Sequence, residues 1–285
     1  MNHKIEKLFG LKFNPFVPEV PLEALYISPR AENFLWRIEN ALMREGGFAL
    51  VTGLAGAGKS VVMRQLEKRL SRLSTHERQI AIIHHPQSGV GDFYRELGDH
   101  FNIAMKPAQR WTSFKSLRER WIDYLNQSRR RCVVFLDEAQ ECSPAVLGEL
   151  RLMASHQFDS QMLLCVILAG DERLTEKLRR DDLVPLGSRI RIRLALQPAT
   201  SEELRACLDH LLEAAGNTAL MTEELKKAIC DQSIGNPRTL MNTAGELLMM
   251  AAKQELAQLD EKLYLQLTAA SQPAGKRRAA AKTSS

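Results

Sequence analysis

The sequence predicts an α/β fold in which a five-stranded parallel sheet is followed by a smaller all-helical domain. Short apolar runs alternate with longer helical segments, an alternation typical of a parallel sheet covered by helices on both faces. A glycine-rich turn follows the first apolar run, at residues 53–60. From Thr200 onwards, apolar residues recur at spacings of three and four, which indicates helices alone.

Each predicted strand is an apolar run bounded by polar or turn-forming residues. The five strands are expected at residues 48–51, 79–85, 132–136, 162–168 and 189–196. In the last of these, arginines alternate strictly with Ile and Leu, so we expect one exposed face and a position towards an edge of the sheet. Helices are expected at residues 61–70, 91–101, 112–129, 143–153 and 172–179, and in the helical domain at residues 201–214, 222–231, 237–253 and 255–270.

The composition is ordinary for a soluble globular protein, with 45% hydrophobic and 26% charged residues among 285. No run of about 18 apolar residues is present, and the first residues lack the apolar stretch of a signal peptide. We therefore expect a cytoplasmic protein with no transmembrane segment. The five cysteines include no C-x-x-C pair, which predicts reduced core thiols rather than disulfides or metal ligands.

The motif with the clearest chemistry is Gly-Leu-Ala-Gly-Ala-Gly-Lys-Ser at residues 53–60, a complete G-x-x-x-x-G-K-[ST] phosphate-binding loop. It lies on a predicted strand-to-helix turn, where backbone N–H groups and a helix N-terminus face the phosphates. Lys59 is placed to reach the β and γ oxygens, and the Ser60 hydroxyl to hold Mg²⁺. The expected nucleotide-binding residues are Gly53, Leu54, Ala55, Gly56, Ala57, Gly58, Lys59, Ser60 and Val61.

Two carboxylates, Asp137 and Glu138, follow the third predicted strand. Ligands of open α/β sheets bind at the carboxyl ends of the strands, so this pair is expected beside the phosphate loop. Taken alone, an acidic pair in this position is equally well explained as a helix cap. Coupled to a phosphate loop upstream, it indicates that Asp137 holds Mg²⁺ and that Glu138 polarises the attacking water.

Two arginines are candidates for stabilising the charge of the transferred phosphoryl group. Arg189 begins the fifth predicted strand, and its alternative role is that of a solvated strand face. Arg238 follows Asn236 and Pro237, a predicted N-cap and first helical residue. A cation in that first turn opposes the helix dipole and suggests a compensating anion; the alternative is an ion pair with an acid such as Asp231.

These segments, in this order, resemble an AAA+ ATPase. More narrowly, they are similar to the ExeA-type ATPase domain and its relatives among transposition helper ATPases, the TniB, TnsC and MuB-like group. The resemblance runs from residue 8 to residue 255. The residues that carry it are Phe9-Gly10-Leu11, Asn14-Pro15-Phe16, Leu25 to Pro29, the phosphate loop, Leu136 to Gln140, the predicted helix at 143–153, and Ser188-Arg189-Ile190.

The resemblance implies ATP and Mg²⁺ as cofactors and subunits that assemble head to tail, with Arg189 supplied to the neighbour's nucleotide. It also implies that residues 14–26 lie near the adenine, although Phe13, Pro15, Phe16 and Tyr26 equally suit an aromatic cluster that seals the core. The expected segments are an N-terminal segment packing near the nucleotide at 1–45, an AAA+ α/β domain at 46–198, an α-helical lid domain at 199–271 and a disordered basic tail at 272–285.

One residue departs from the family's pattern. After the fourth strand, where such ATPases place a neutral polar residue near the γ-phosphate, this chain has Asp171. A carboxylate there repels phosphate unless it is turned away, or else it caps the helix that follows. The departure puts efficient hydrolysis in doubt, though not nucleotide binding.

The basic residues suggest where nucleic acid would bind. The formal net charge is +5, and Lys276, Arg277, Arg278 and Lys282 supply four of these charges. Such a tail contacts phosphate backbones without reading sequence, while a purely solubilising tail is an equal alternative. The segment from Lys106 to Arg120 is also basic, but Trp121 beside it suits core packing better than base stacking.

Three functions follow from the resemblance. ExeA-type proteins continue into a membrane span and a cell-wall-binding region, whereas this chain ends after the predicted lid. We therefore expect an ATPase that oligomerises on duplex DNA and selects targets for a partner transposase. The alternatives are a secretion-assembly ATPase working with a separately encoded membrane partner, and a non-hydrolysing nucleotide switch, which Asp171 supports.

Overall fold

The computed structural model describes residues 2–73, 79–104 and 110–271. The chain divides into two compact units. One is the continuous segment Ile27–Gln197, and the other combines residues up to Tyr26 with those from Pro198 onwards. The N-terminal segment expected as a single region at residues 1–45 therefore contributes to both units.

The unit Ile27–Gln197 is built on a parallel sheet whose strands follow the order β2-β3-β6-β1-β7. This confirms the predicted five-stranded parallel sheet. Strands β4 and β5 form a separate antiparallel hairpin that the sequence pattern does not predict. The strands are β1 (Gly47–Gly53), β2 (Ile80–Ile83), β3 (Cys132–Leu136), β4 (Ser155–His156), β5 (Gln161–Met162), β6 (Leu164–Gly170) and β7 (Ile190–Leu196).

The helices fall between the strands and, after β7, follow one another. They are α1 (Asn2–Phe9), α2 (Pro29–Arg37), α3 (Met43–Glu45), α4 (Lys59–Leu73), α5 (Val90–Phe101), α6 (Arg110–Ser128), α7 (Pro144–Ala154), α8 (Glu172–Lys177), α9 (Val184–Gly187), α10 (Ser201–Ala215), α11 (Glu223–Gln232), α12 (Pro237–Lys253) and α13 (Glu261–Ser271). Helices α2 to α9 belong to the α/β unit, and α1 with α10 to α13 to the helical unit.

The two faces of the sheet bury separate apolar clusters. One cluster packs α5, α6 and α7 against the sheet and includes Trp121, which is fully buried as predicted. The other packs α2 and α4 against the opposite face. Strands β3 and β6 are buried along their whole length, because helices cover both of their faces. Strand β7 alternates buried and exposed residues at the sheet edge, which confirms the predicted edge strand.

The helical unit packs α1 and α10 to α13 around a leucine-rich core that also contains Phe16. Thr200 begins α10 with a reciprocal capping box to Glu203, which satisfies N–H groups that a helix start leaves without partners. The last helix was expected from residue 255, and this was wrong: α13 begins at Glu261. Glu255 has a left-handed backbone (φ 54°), which ends the preceding helix.

The five cysteines are free thiols, and four of them are buried. Burial raises the pKa of Cys142 to about 11 and that of Cys230 also to about 11. These side chains therefore act as small apolar core residues at neutral pH. Within the described part of the chain, no helix combines the length and the apolar character needed to span a bilayer.

Candidate nucleotide-binding site

The phosphate loop joins β1 to α4, as the sequence predicts. Strand β1 ends at Gly53 and helix α4 begins at Lys59. Gly58, directly before the helix, has φ 100°, a conformation that L side chains rarely adopt. The first turn of α4 contains no acidic residue, so its N-terminal N–H groups face no competing carboxylate from the helix itself.

Lys59 is held beneath the loop rather than in solvent. The residue is only 7% exposed, and its Nζ donates hydrogen bonds to the carbonyl oxygens of Gly53 at 2.9 Å and Leu54 at 3.2 Å. Ser60, the next residue, is exposed at the start of α4. The loop thus presents an ammonium group and a hydroxyl at one helix N-terminus, which suits a phosphate with its metal ion.

Asp137 and Glu138 follow β3 at the same edge of the sheet. The register pairs Leu136 with Leu168, and Thr52 with Gly170, so β1, β3 and β6 all end at this edge. Glu138 is exposed and has a left-handed backbone (φ 49°), an uncommon state for a residue with a side chain and one often found at functional sites. Its N–H donates to Asp137 Oδ1 at 2.9 Å.

Gln140 contacts Glu138, and we did not predict this from the sequence. The residue is 5% exposed. The amide Nε2 donates to Glu138 Oε2, and the amide Oε1 accepts from the backbone N–H of Asp171 at 3.3 Å. The sequence feature that could have indicated this contact is a polar residue in the turn after β3, two positions beyond Glu138.

The carboxylate of Asp171 points to Arg173. It caps α8 by accepting from the Arg173 N–H at 2.9 Å and forms an ion pair with the Arg173 guanidinium at 2.8 Å. The Arg173 hydrogen bond lowers the pKa of Asp171, and the charge of Lys59 acts in the same direction. Arg173 also pairs with Glu141 at 2.9 Å. The negative charge at the end of β6 is therefore balanced by a neighbouring arginine.

Arg189 lies at the opposite edge of the sheet from the phosphate loop. The register pairs Phe48 with Ile190 and Gly53 with Leu196, which separates Arg189 from the loop by about 20 Å at ~3.3 Å per residue. The strand begins one residue later than predicted, at Ile190. The Arg189 guanidinium pairs with Asp159 and donates to the carbonyl of Pro185.

The surroundings of Arg189 form a charged cleft of about 760 Å³. Asp159 comes from the hairpin between β4 and β5, and Arg191 on β7 pairs with Glu45 at 2.5 Å. The lining residues are Arg44, Glu45, Gly47, Arg131, Asp159, Ser160, Met162, Ser188, Arg189 and Arg191. The structure therefore does not bring Arg189 together with the loop of its own chain.

Arg238 is exposed in the first turn of α12. Asn236 caps this helix as predicted, accepting from the N–H groups of Arg238 at 3.0 Å and Thr239 at 3.4 Å. Asp231, the alternative partner considered for Arg238, instead accepts from Ser201 Oγ at 2.5 Å. The role of Arg238 at the nucleotide therefore stays a prediction.

Two cations of the basic segment around α6 form contacts within the fold. Arg110 pairs with the buried Glu149, and Arg118 donates to the carbonyl of Met153 at 2.9 Å. Lys106 lies outside the described residues, as do the four cations of the tail. Lys115 pairs with the exposed Glu119 at 3.7 Å, and Trp111 is 74% exposed.

Comparison with known proteins assigns this architecture. Residues 42–178 match the family model described as an AAA domain. This part of the chain is therefore similar to an AAA domain. Over 248 residues it is also 33% identical to General secretion pathway protein A of Aeromonas hydrophila. That alignment covers 86% of this chain but 44% of the relative, so this chain spans less than half of the relative's length.

Solved structures show the same fold. The Aeropyrum pernix ORC2 protein in its ADPNP-ADP complexes matches with a TM-score of 0.65 and 17% identity, over 88% of this chain and 69% of that one. Drosophila ORC bound to DNA matches with a TM-score of 0.65 and 15% identity, over 92% of this chain and 64% of that one. The chain therefore has the P-loop AAA+ fold of these structures.

Proposed function

We propose that this protein binds and hydrolyses ATP with Mg²⁺. The observation that carries the proposal is the meeting of three groups at one edge of the sheet: the phosphate loop, Asp137 and Glu138. The residues fit both ligands. The loop offers Lys59 at a helix start without acidic residues, and Ser60 with Asp137 supplies the hard oxygen ligands that Mg²⁺ prefers.

Each residue of the site has a defined role in this proposal. Backbone N–H groups of residues 53–61 hold the phosphates, and Lys59 balances the charge on the β and γ oxygens. Bound Mg²⁺ would neutralise charge that develops on these oxygens. Glu138 accepts a proton from the attacking water, a contribution of about 10²- to 10⁴-fold in rate for a general base.

Two arginines that are not part of the phosphate loop complete the proposed site. Arg189 stabilises the transferred phosphoryl group of a neighbouring copy, because it lies too far from the loop of its own chain. Arg238, in a first helical turn that disfavours a cation, serves as a second contact to the γ-phosphate. The proposal therefore requires self-association into a ring or a filament with head-to-tail contacts.

For the biological role, we propose a cytoplasmic ATPase that assembles on duplex DNA and selects target sites for a partner transposase. Two observations support DNA as the partner. A protein of the same fold is described as bound to DNA, and the C-terminal sequence gathers Lys276, Arg277, Arg278 and Lys282. Binding through the phosphate backbone predicts little sequence preference and an affinity that falls steeply with salt.

A secretion-assembly ATPase is the second candidate. The 33% identity to General secretion pathway protein A favours it, while the 44% coverage of that protein leaves its remaining regions without counterparts in the alignment. The third candidate, a non-hydrolysing switch, rested on Asp171 facing the phosphate. The pairing of Asp171 with Arg173 is an argument against that candidate.

Four measurements test the proposal. Calorimetry should detect Mg-ATP binding to the intact protein but not to Lys59→Ala, and Glu138→Gln should slow phosphate release by about 10²- to 10⁴-fold. ATP binding with no turnover by the wild-type protein would favour the switch.

Binding to duplex DNA that requires an ATP analogue and weakens with salt supports the DNA role, and its absence favours the secretion role. Electron microscopy with both ligands should show rings or filaments.

A further inference from the structure

Gln140 is a buried polar side chain that joins two segments of the proposed catalytic edge. Its amide donates to the Glu138 carboxylate on one side and accepts from the Asp171 N–H on the other. A backbone N–H offers only a hydrogen, and an ionised carboxylate accepts only. The two partners together therefore determine which way the amide faces.

The backbone around Gln140 is also held in place. Lys177 on α8 donates to the carbonyl oxygens of Gln140 and Cys142, the latter at 2.8 Å. These bonds fix the turn after β3 to the helix after β6. The side chain has little freedom within this frame, because only 5% of the residue is exposed.

Gly170, the last residue of β6, leaves the space that the amide occupies. A Cβ added at Gly170 would lie 2.5 Å from Gln140 Oε1 and 2.8 Å from Leu174 Cδ2. Both are closer than non-bonded atoms approach. A larger residue at this position would therefore displace either the amide or the leucine, so the end of β6 and the Gln140 amide depend on each other.

We propose that Gln140 is the positioning residue of Glu138. It holds one carboxylate oxygen, leaving the other to orient the attacking water, and ties the carboxylate to the junction of β6 and α8. Gln140 does not contact the phosphate loop through any of these bonds. Its loss should therefore slow hydrolysis without weakening nucleotide binding. This inference rests on the proposed ATPase function and assigns a further residue to it.

The experiment compares steady-state turnover and Mg-ATP affinity of the full chain with those of Gln140→Leu, which keeps the size and removes both hydrogen bonds. We expect kcat to fall by about tenfold or more, since positioning of a catalytic group controls rate, while Kd and KM change by less than about twofold. Gln87→Leu is the matched control. Gln87 also bonds a carboxylate, that of Glu141 at 3.4 Å, but it is exposed.

Gln140→Glu adds a second variant at the same position. It replaces the amide donor with a carboxyl group that repels the Glu138 carboxylate. In this variant kcat should fall as it does in Gln140→Leu, while Kd for Mg-ATP again changes by less than about twofold. Gly170→Ala, which leaves Gln140 intact, should reproduce the selective loss of kcat.

The outcomes separate the two proposals. A wild-type protein that binds ATP without turning it over contradicts the proposed function. If the wild-type protein hydrolyses ATP and Gln140→Leu retains its kcat, the positioning role of Gln140 is wrong and the ATPase function stands. A Gln140→Leu protein that remains folded by circular dichroism and loses affinity rather than kcat also overturns the positioning role.

Discussion

The two edges of the parallel sheet differ in what they offer a triphosphate. The carboxyl-terminal edge carries the phosphate loop with Lys59 beneath it, and the acids Asp137 and Glu138. The amino-terminal edge carries arginines in a cleft, among them Arg189, whose guanidinium is held by Asp159. In our proposal the first edge binds the nucleotide and activates water, and the second edge supplies an arginine to a neighbouring copy.

This difference explains why a single copy of the chain is an incomplete enzyme in our proposal. The separation of about 20 Å between Arg189 and the phosphate loop follows from the length of the strands, so a change of side-chain rotamer does not remove it. A site that needs groups from both edges must therefore draw them from two copies. In the isolated chain, the Arg189 guanidinium is paired with the Asp159 carboxylate. Arg189 must therefore leave this ion pair before it can bind the phosphate of a neighbouring copy.

The largest effect is expected from removing the carboxylate at the carboxyl-terminal edge. Glu138→Gln should lower turnover by about 10²- to 10⁴-fold, the range for loss of a general base, because the amide cannot accept the proton from water. Mg-ATP affinity by calorimetry should stay close to that of the wild-type protein. Glu141→Gln is the control, since Glu141 pairs with Arg173 at 2.9 Å. Equal loss in both variants would contradict the role of Glu138.

The second-largest effect is expected from removing Arg189 at the amino-terminal edge of the sheet. Arg189→Ala should lower the turnover of assembled protein by about a thousandfold, the contribution of an arginine supplied in trans, while each copy still binds ATP. Arg191→Ala is the matched control. Arg191 lies two residues along the same strand and pairs with Glu45 at 2.5 Å. A similar loss in Arg191→Ala would show that the effect reflects the strand rather than Arg189.

The smallest effect is expected at Asp171. Variants of this residue test whether its carboxylate faces Arg173 or the phosphate. Asp171→Asn should change kcat by less than about threefold, because asparagine also caps helices well, and Asp171→Ala should lose about 1 kcal/mol of unfolding free energy with the cap. A tenfold gain in ATP affinity in Asp171→Asn would show that the carboxylate faces the phosphate instead of Arg173.

The contribution of Asp171 to the free energy of unfolding should depend on pH. The Arg173 hydrogen bond lowers the pKa of this carboxyl below its ordinary value of 3.8. Its stabilisation of the folded state is therefore present above pH 3.8 and lost as the pH falls through the lower pKa of the folded state. Denaturant unfolding of wild-type protein and Asp171→Ala should give free energies that converge only in that acidic range.

The sequence was sufficient for those features that depend on local pattern. Apolar runs predicted all five strands of the sheet, and the alternation of arginines predicted β7 as an edge strand. Residue type and spacing also predicted the phosphate loop and the N-cap at Asn236. Such features depend on neighbours within a few positions, so a single sequence contains the information.

The features that were missed depend on contacts between distant segments. Gln140 meets Asp171 only because β3 and β6 are adjacent and in a particular register. Asp159 meets Arg189 only because the short β4–β5 hairpin, whose strands have two residues each, folds towards the start of β7. Neither contact leaves a periodic signal in the sequence. Prediction of such contacts requires the topology of the whole sheet.

The most direct test of the shared site mixes two inactive variants. Glu138→Gln keeps Arg189, and Arg189→Ala keeps Glu138, so a mixture of the two contains some interfaces with both groups intact. In a head-to-tail assembly with random mixing, equal amounts should recover about a quarter of the wild-type turnover. A mixture no more active than the sum of its components would contradict a nucleotide site completed by a neighbouring copy.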